Sequence, residues 1–283
     1  RLFFMVFLDA MVEMKDEYIF LPRNIANLCR TMKCYDEVGL PGCCGSMDVV
    51  HVKWSSCPTG DHNRAKGKAG FPTLAFQCIT DFNRRVIGIF GPQFGTRNDK
   101  EIVKVDPNVH RIRTGWFKDV LWSYYTSAGR IEKERGAYLI CDNGYHRWPI
   151  SISPYANADC ALLEGYFSTN LESVCKDVEC TFGILKKRWR VLNDGLYYRD
   201  IQTCEKVFIT CCCLNNFLLD LMERTNVTVG RGAPIGDDGI WLDGHTTFYS
   251  ADSSELALSK KFASRRALLA KHLYVFRQKG RAM

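Results

Sequence analysis

Three acidic residues have the types and settings that metal-dependent phosphodiester chemistry requires: Asp48, Asp142 and Glu179. Asp48 lies between Met47 and Val49 in an apolar, strand-like run, where a carboxylate is costly unless it is paired, hydrogen-bonded or bound to a metal. Carboxylate oxygens are the ligands that Mg²⁺ prefers, and two such ions can activate a water and stabilise a leaving oxygen. The sequence thus suggests a two-metal site for Mg²⁺ or Mn²⁺, although spacing alone does not show that the acids converge.

Each acid also has a purely structural interpretation. Asp142 ends a short apolar strand before a glycine turn, so its side chain could cap that turn. Glu179 lies on a predicted helix and could form a surface ion pair with Lys176 or Lys186. Asp48 is the hardest of the three to explain structurally, because its sequence neighbours on both sides are apolar.

Basic residues lie close to the third acid in the sequence. The predicted helix face of Glu179 also carries Lys176, Gly183, Lys186 and Arg190. Such a face suits a nuclease, in which the acid holds a cation and the bases contact the phosphodiester backbone. The predicted DNA contacts are Lys66, Lys68, Lys186, Lys187, Arg188 and Arg190. A solvated helix face is the alternative, and basic residues alone do not separate DNA from RNA.

The elements that must position these residues follow from apolar periodicity and turn residues. Strands are predicted at residues 46–54, 73–80, 86–90 and 138–142. Helices are predicted at residues 1–20, 112–126, 169–192, 200–222 and 253–277. The pairs Thr169/Glu172 and Asn98/Glu101 resemble capping boxes that begin helices, whereas residues 21–45 are rich in turn residues.

The order of these elements predicts an α/β fold with a mixed sheet flanked by helices. We expect a helical N-terminal remnant of a longer region at residues 1–40 and a nuclease domain at 41–222. We also expect a Gly- and Asp-rich linker or loop at 223–252 and a basic C-terminal helix at 253–283. The apolar run Val207–Met222 is too polar to cross a membrane and is predicted to be a core helix.

The cysteine pattern predicts the redox compartment of the chain, and the charge pattern suggests possible roles for its C-terminal cluster. Its 14 cysteines form no CxxC pair, so we expect buried, reduced thiols in a reducing compartment rather than a zinc finger. The net charge is +7, and eight Lys or Arg residues without any acid fall between Lys260 and Arg281. That C-terminal cluster is compatible with a nuclear-import signal, a DNA contact or a solvated helix.

Three sequence blocks resemble the signature blocks of PIF/Harbinger transposases, in the plant-transposon-protein branch, and of the domesticated nucleases related to them. The blocks are Gly45-Ser46-Met47-Asp48-Val49-Val50-His51, Cys141-Asp142-Asn143-Gly144-Tyr145 and Val178-Glu179-Cys180-Thr181-Phe182-Gly183-Ile184-Leu185-Lys186. Two further segments, Lys68–Thr73 and Gly95–Asp99, fall where that family has similar sequences. The resemblance covers roughly residues 40–220, and the order and spacing of the blocks fit the family.

This resemblance implies a ribonuclease-H-like fold with a DDE triad formed by Asp48, Asp142 and Glu179. It implies two bound Mg²⁺ or Mn²⁺ ions, hydrolytic nicking at transposon ends and attack of the 3′-hydroxyl on target DNA. His51 and Asp99 match supporting positions of the family. The implied partners are DNA and a separate Myb-like DNA-binding protein, the implied location is the nucleus, and formation of a homodimer is left open.

The sequence also departs from the family pattern at three positions. Val49 replaces a common Gly, Cys180 a common Arg, and His146 a common Pro. No departure removes an acid, so an active nuclease is the favoured interpretation. A non-catalytic DNA-binding or adaptor protein derived from such a transposase is the alternative, and a ribonuclease-H-like enzyme acting on RNA is a third.

Overall fold

The computed structural model describes residues 2–156, 158–159, 162–224 and 255–281. The chain forms two compact units. The first contains the described parts of Arg1–Leu21, Met47–Val109 and Asp177–Pro234, and the second those of Pro22–Ser46, His110–Lys176 and Ile235–Met283. Strand β1, Cys43–Lys53, and helix α7, Leu163–Arg188, each contribute residues to both units.

The first unit is built on an antiparallel pair of strands. Besides its part of β1, it contains α1 (Leu2–Glu13), α2 (Lys15–Tyr18), β2 (Thr73–Thr80), β3 (Val86–Phe94), α4 (His62–Ala65), α5 (Asp99–Val105), α8 (Arg190–Asp194) and α9 (Ile201–Arg224). Strand β2 lies between β1 and β3, is buried along its whole length and pairs antiparallel with β3. Helix α9 covers this pair, and the ring of its Phe208 stacks on Phe76 of β2 at a centroid distance of 4.0 Å.

The second unit is built on parallel strands. It contains α3 (Ile25–Asp36), most of α6 (Pro107–Thr114), β4 (Leu121–Tyr125), β5 (Ile131–Arg135), β6 (Tyr138–Ile140), β7 (Ser151–Ile152) and α10 (Glu255–Arg281). The first residues of β1 pair parallel with β6, which pairs parallel with β7. Strands β4 and β5 form a separate antiparallel hairpin. Helix α10 packs on β4, and its Phe262, Leu269 and Leu273 side chains are buried.

The prediction of a mixed α/β fold is therefore confirmed, because parallel and antiparallel strand pairs occur together with flanking helices. Two strands are longer than predicted, since β1 begins at Cys43 and β3 continues to Phe94, whereas the strand predicted at 138–142 ends at Ile140. The cap at Asn98 is also confirmed, since the Glu101 N–H donates to Asn98 Oδ1 at 2.9 Å and α5 follows. Residues 225–252 of the predicted linker lie outside the described residues.

The helix predicted at residues 112–126 is wrong. Helix α6 ends at Thr114, and residues 121–125 form strand β4, whose Trp122 is buried while Leu121 and Ser123 are exposed. The physical reason is the pairing with β5, because the aromatic side chains Trp122, Tyr124 and Tyr125 favour a pleated surface once a partner strand is present.

The predicted start of the longest helix is also wrong. Helix α7 begins at Leu163, and the Thr169 hydroxyl donates to the carbonyl of Gly165 within the helix at 3.0 Å instead of capping its start. At the other end, Trp189 is extended, with φ −114° and ψ 96°, so Arg190 belongs to α8 rather than to the face of Glu179. A threonine inside a helix can bond back to the preceding turn, which removes its value as a cap.

Two N-terminal predictions need correction. The turn-rich segment 21–45 contains helix α3, whose first turn is capped by Asn24 through a 2.8 Å bond from the Asn27 N–H. The single helix predicted at residues 1–20 is divided into α1 and α2 around Met14. Among the described residues, no helix combines the length and the apolar character needed to cross a membrane.

Candidate active site

Asp48 is half-buried in β1 of the first unit. Its Oδ1 accepts a hydrogen bond from the Val49 N–H at 2.8 Å. The strand alternates as predicted beyond this point, since Val50 and Val52 are buried and His51 is exposed. The carboxylate therefore stands at the boundary between the apolar core and the solvent, where a hydrated cation has access to it.

Glu179 lies on the exposed face of α7, beside the fully buried Val178. The ion pair with Lys186 considered from the sequence is not formed. The Lys186 ammonium instead donates to the backbone carbonyl of His51 at 3.2 Å. Burial of part of this lysine lowers its pKa below the usual value. Helix α7 is thus tied to β1 three residues beyond Asp48.

A second contact ties the same part of α7 to the turn between β2 and β3. The Arg84 guanidinium donates to Asp177 Oδ1 through Nη2 at 2.9 Å and through Nε at 3.1 Å. Glu179 follows Asp177 by two residues, so its position along the helix lies between the two ties, Arg84–Asp177 and His51–Lys186. The segment of α7 that carries Glu179 is therefore fixed at both ends to the sheet of the first unit.

His51 stands at the junction of several groups. Its Nδ1 is hydrogen-bonded to the Thr73 hydroxyl at 3.1 Å. Desolvation lowers the His51 pKa below 6.5, the positive charges of Lys186 and Lys68 lower it further, and the Asp99 carboxylate opposes them. The two residues matched to supporting positions, His51 and Asp99, thus interact electrostatically. The imidazole is mainly neutral at pH 7.

Asp142 lies in the second unit, two residues after the end of β6, and is exposed. Its Oδ1 accepts a hydrogen bond from the Gly144 N–H at 2.8 Å, so the turn-capping interpretation of this residue is realised. Two residues before it, Ile140 pairs with Ser46 of β1. Within the part of the chain that the structure describes, no group of three or more His, Cys, Asp or Glu side chains is arranged to hold a metal ion.

The donor chemistry of the three acids nevertheless fits a hard divalent ion. All three are carboxylates, and each is half-buried or exposed rather than enclosed in the apolar core. Such oxygen donors can bind Mg²⁺ while the ion keeps several waters. Their convergence on one ion stays a prediction.

The predicted DNA contacts differ in their availability. Lys66, Lys68 and Lys187 are exposed. Arg188 is engaged inside the first unit, where its Nη1 donates to Asn215 Oδ1 at 2.6 Å. Arg190 is exposed and pairs with Asp194 at 2.7 Å. The three exposed lysines are therefore the residues of this set best placed to meet a phosphate backbone.

Two exposed residues of the same region were not among the predicted contacts. The Lys53 ammonium lies 5.8 Å from the centroid of the Phe71 ring, and both side chains are exposed. Lys53 shares the outward side of β1 with His51, two residues earlier. Continuing the strand alternation from His51 to Lys53 would have revealed this residue.

Comparison with known proteins gives the family. Two proteins of Arabidopsis thaliana are similar to the chain: one is called Protein ALP1-like, at 22% identity over 77% of the chain, and the other Antagonist of Like Heterochromatin Protein 1, at 20% identity over 76%. The chain spans 53% of the length of each relative. No solved structure matches it significantly. The family model described as plant transposon protein matches residues 16–226. Because this match covers more than half of the chain, the chain belongs to the plant transposon protein family, which is derived from transposases.

Proposed function

We propose that the chain is a metal-dependent DNA endonuclease of the PIF/Harbinger DDE type, with a ribonuclease-H-like arrangement of its sheet. In this proposal Asp48, Asp142 and Glu179 hold two Mg²⁺ or Mn²⁺ ions. When bound, these ions would supply an activated water for attack on a phosphodiester bond and stabilise the departing oxygen. The nicked 3′-hydroxyl would then attack target DNA.

The observation that carries the proposal is the setting of Asp48 and Glu179 on elements that are tied together. Lys186 follows Glu179 by seven residues, which is roughly 10 Å along a helix. His51 follows Asp48 by three residues, which is also roughly 10 Å along a strand. Because Lys186 bonds to His51, Asp48 and Glu179 each lie roughly 10 Å along their own element from one shared contact. The proposal is that these acids share a site.

The third acid is included because of the motif resemblance. Asp142 lies in the block Cys141-Asp142-Asn143-Gly144-Tyr145, which resembles the second signature block of the family. This resemblance is why we place Asp142 with Asp48 and Glu179.

The remaining residues would bind and orient the DNA. Exposed Lys66, Lys68 and Lys187 can contact phosphates, which fixes the position of the backbone without reading its sequence. The lowered pKa of His51 keeps its imidazole mainly neutral at pH 7, so it can exchange a hydrogen bond with Thr73 without adding a charge beside the acids. A nuclear location and a Myb-like DNA-binding partner belong to the same proposal.

The test is nicking of supercoiled plasmid with Mg²⁺ or Mn²⁺. We expect the wild-type chain to nick, whereas Asp48→Asn, Asp142→Asn and Glu179→Gln fall to background. Glu172→Gln, which changes another exposed acid of α7, is the matched control and should nick normally. Nicking that persists in the three acid variants would contradict the proposal.

A second candidate function is a non-catalytic DNA-binding or adaptor role. It is favoured by the name of one relative, which describes that protein as an antagonist of Like Heterochromatin Protein 1. A folded wild-type chain that binds DNA but does not nick it, even with a Myb-like partner added, would support this candidate.

A further inference from the structure

An exposed aromatic ring lies on the outward side of the first unit among basic side chains. Phe71 is 43% exposed, and the Lys53 ammonium lies 5.8 Å from its ring centroid. Lys66 and Lys68, in the same loop, are also exposed. An exposed ring flanked by lysines combines the two elements from which single-stranded nucleic acid sites are built, a stacking surface and a positive groove.

The backbone holds this ring in a defined place. Pro72, directly after Phe71, accepts a 2.9 Å hydrogen bond from the Trp54 N–H and also forms a bridge with Lys66. Before the ring, Gly70 has a φ of +77°, and a Cβ added to it would meet no atom within 4 Å. The ring is thus held by the backbone of the residue that follows it, while 43% of Phe71 stays exposed to an incoming group. A fixed aromatic group loses little conformational entropy when it stacks on a ligand.

The loop that leads to Phe71 packs against the segment that follows β3. The Arg64 guanidinium covers the Phe94 ring at 4.1 Å, and the Thr96 hydroxyl donates to the Arg64 carbonyl at 2.7 Å. A Cβ on Gly67 would collide with the carbonyl oxygen of Gly95, so the two loops approach more closely than a side chain permits. The basic and aromatic groups are therefore presented by a pre-organised pair of loops.

The ring surface adjoins the contact that ties α7 to β1. Lys53 and His51 lie on the same side of β1, two residues and on the order of 7 Å apart. His51 in turn is tied to α7 by Lys186. A DNA strand that follows the lysines would thus pass from Lys186 of α7 to Phe71 within a few nucleotides.

We propose that Phe71 is a stacking site for an unpaired base of single-stranded DNA, with Lys53 and Lys68 contacting the adjoining phosphates. Bases within a duplex already stack on their neighbours, so only an unpaired or extruded base can present its face to this ring. The inference rests on the proposed function, because it specifies the form of DNA that the nuclease surface holds beside the acids.

The test is fluorescence anisotropy with a labelled 12-nucleotide single strand and the matched duplex, in EDTA so that no cutting occurs. Because stacking one base on an aromatic ring has a sizeable effect on affinity, we expect Phe71→Leu to weaken single-strand binding about tenfold. Duplex binding should change less than about twofold, and Phe71→Trp should restore single-strand affinity. Phe217→Leu, which changes a ring of similar exposure (40%) in the same unit, is the control and should bind like wild type.

Equal single-strand affinities of wild type and Phe71→Leu, or equal losses on single strand and duplex, would overturn the inference. So would the failure of wild type to bind the single strand, or a Phe71-dependent preference for RNA of the same sequence. The nicking assay separates this result from the proposed function. Phe71-dependent binding without nicking would refute the nuclease alone, whereas nicking without such binding would refute the stacking site alone.

Discussion

His272 carries a buried imidazole whose two nitrogens have unequal surroundings. Its Nδ1 accepts a 2.8 Å hydrogen bond from the Tyr125 N–H, and its Nε2 has no hydrogen-bond partner in the described chain. The residue is only 2% exposed, and burial lowers its pKa from 6.5 to about 4. The neutral form is therefore the one that supports the packing of α10 on β4.

The first prediction concerns the acid sensitivity of this contact. Between pH 6.5 and 4 the unfolded chain binds a proton at His272 that the folded chain does not, so the stability that His272 contributes is lost as pH falls. Relative to His272→Asn, the free energy of unfolding of wild type should fall by about 3 kcal/mol across this window. The Asn variant keeps an acceptor for Tyr125 without titrating.

Wild type must be compared with His272→Asn, because Asp81 and Asp106 change the free energy of unfolding in the opposite direction as pH falls. Burial raises the pKa of each to about 6, so protonation of these acids stabilises the folded chain as pH falls below 6. Urea unfolding followed at several pH values measures the difference. Parallel pH curves for wild type and His272→Asn would contradict the account.

Asn216 joins three elements of the first unit through a fully buried amide. Its Oδ1 accepts from the Val86 N–H at 3.1 Å, and its Nδ2 donates to the carbonyls of Val86 at 2.7 Å and Tyr18 at 2.8 Å. Helix α9 is thereby fixed to β3 and to α2. This network explains a polar residue in the apolar run that the sequence identified as a core helix.

The second prediction is that Asn216→Leu destabilises the first unit by at least about 2 kcal/mol. Loss of the amide removes the acceptor of the buried Val86 N–H and a donor to the Val86 carbonyl, and a buried group left without a partner costs roughly 1–3 kcal/mol. The Tyr18 carbonyl keeps a donor, because Arg85 Nη1 lies 3.5 Å from it. Urea unfolding monitored by circular dichroism gives the value. Gln202→Leu, at an exposed position of the same helix, should stay within about 0.5 kcal/mol of wild type. Similar stabilities for both variants would show that the amide network does not support the unit.

At the scale of single helices and strands, the sequence predicted an element correctly where the residues that determine it are close together in the chain. The cap of α5 could be predicted because Asn98 and Glu101 are three residues apart and bond to each other. Strand β4 could not, because its conformation depends on pairing with β5, a contact that the periodicity of residues 112–126 does not contain. The predicted cap at Thr169 was wrong because the same residue pattern also occurs inside helices, where the threonine hydroxyl donates to a carbonyl of the preceding turn.

Across the whole molecule the net charge of +7 would favour binding to a polyanion. The third prediction is that the double change Lys66→Gln and Lys68→Gln weakens duplex binding and reduces its salt dependence. If each lysine neutralises one phosphate, the slope of log affinity against log salt should become shallower by about 2. A double change of Lys260 and Lys261 to Gln, at exposed positions of α10, is a charge-matched comparison.

That comparison also tests whether the basic C-terminal helix α10 contacts DNA. An unchanged slope in the Lys66/Lys68 variant, with a reduced slope in the Lys260/Lys261 variant, would move the DNA-binding surface to α10. Binding titrations at several salt concentrations are sufficient to distinguish the two results.

At the scale of the molecule, too, features of the candidate site that depend on neighbours in the sequence could be predicted, whereas contacts between distant segments could not. Asp48 was recognisable because a carboxylate stood in an apolar strand. The pairing of Ser46 with Ile140 was not, because the pairing of β1 with β6 contains an irregularity between Cys43 and Gly45. A bulge of this kind shifts which residues stand opposite each other, and residue spacing along the chain cannot reveal it.

Titration of the folded chain with Mn²⁺, followed by isothermal calorimetry, tests whether Asp48, Asp142 and Glu179 share a metal site. We expect saturable binding by wild type and by the control Glu172→Gln. Binding should be lost or strongly weakened in each of Asp48→Asn, Asp142→Asn and Glu179→Gln, because each removes one carboxylate from the same ions. Wild type that binds no Mn²⁺, or three acid variants that bind it as wild type does, would contradict the account.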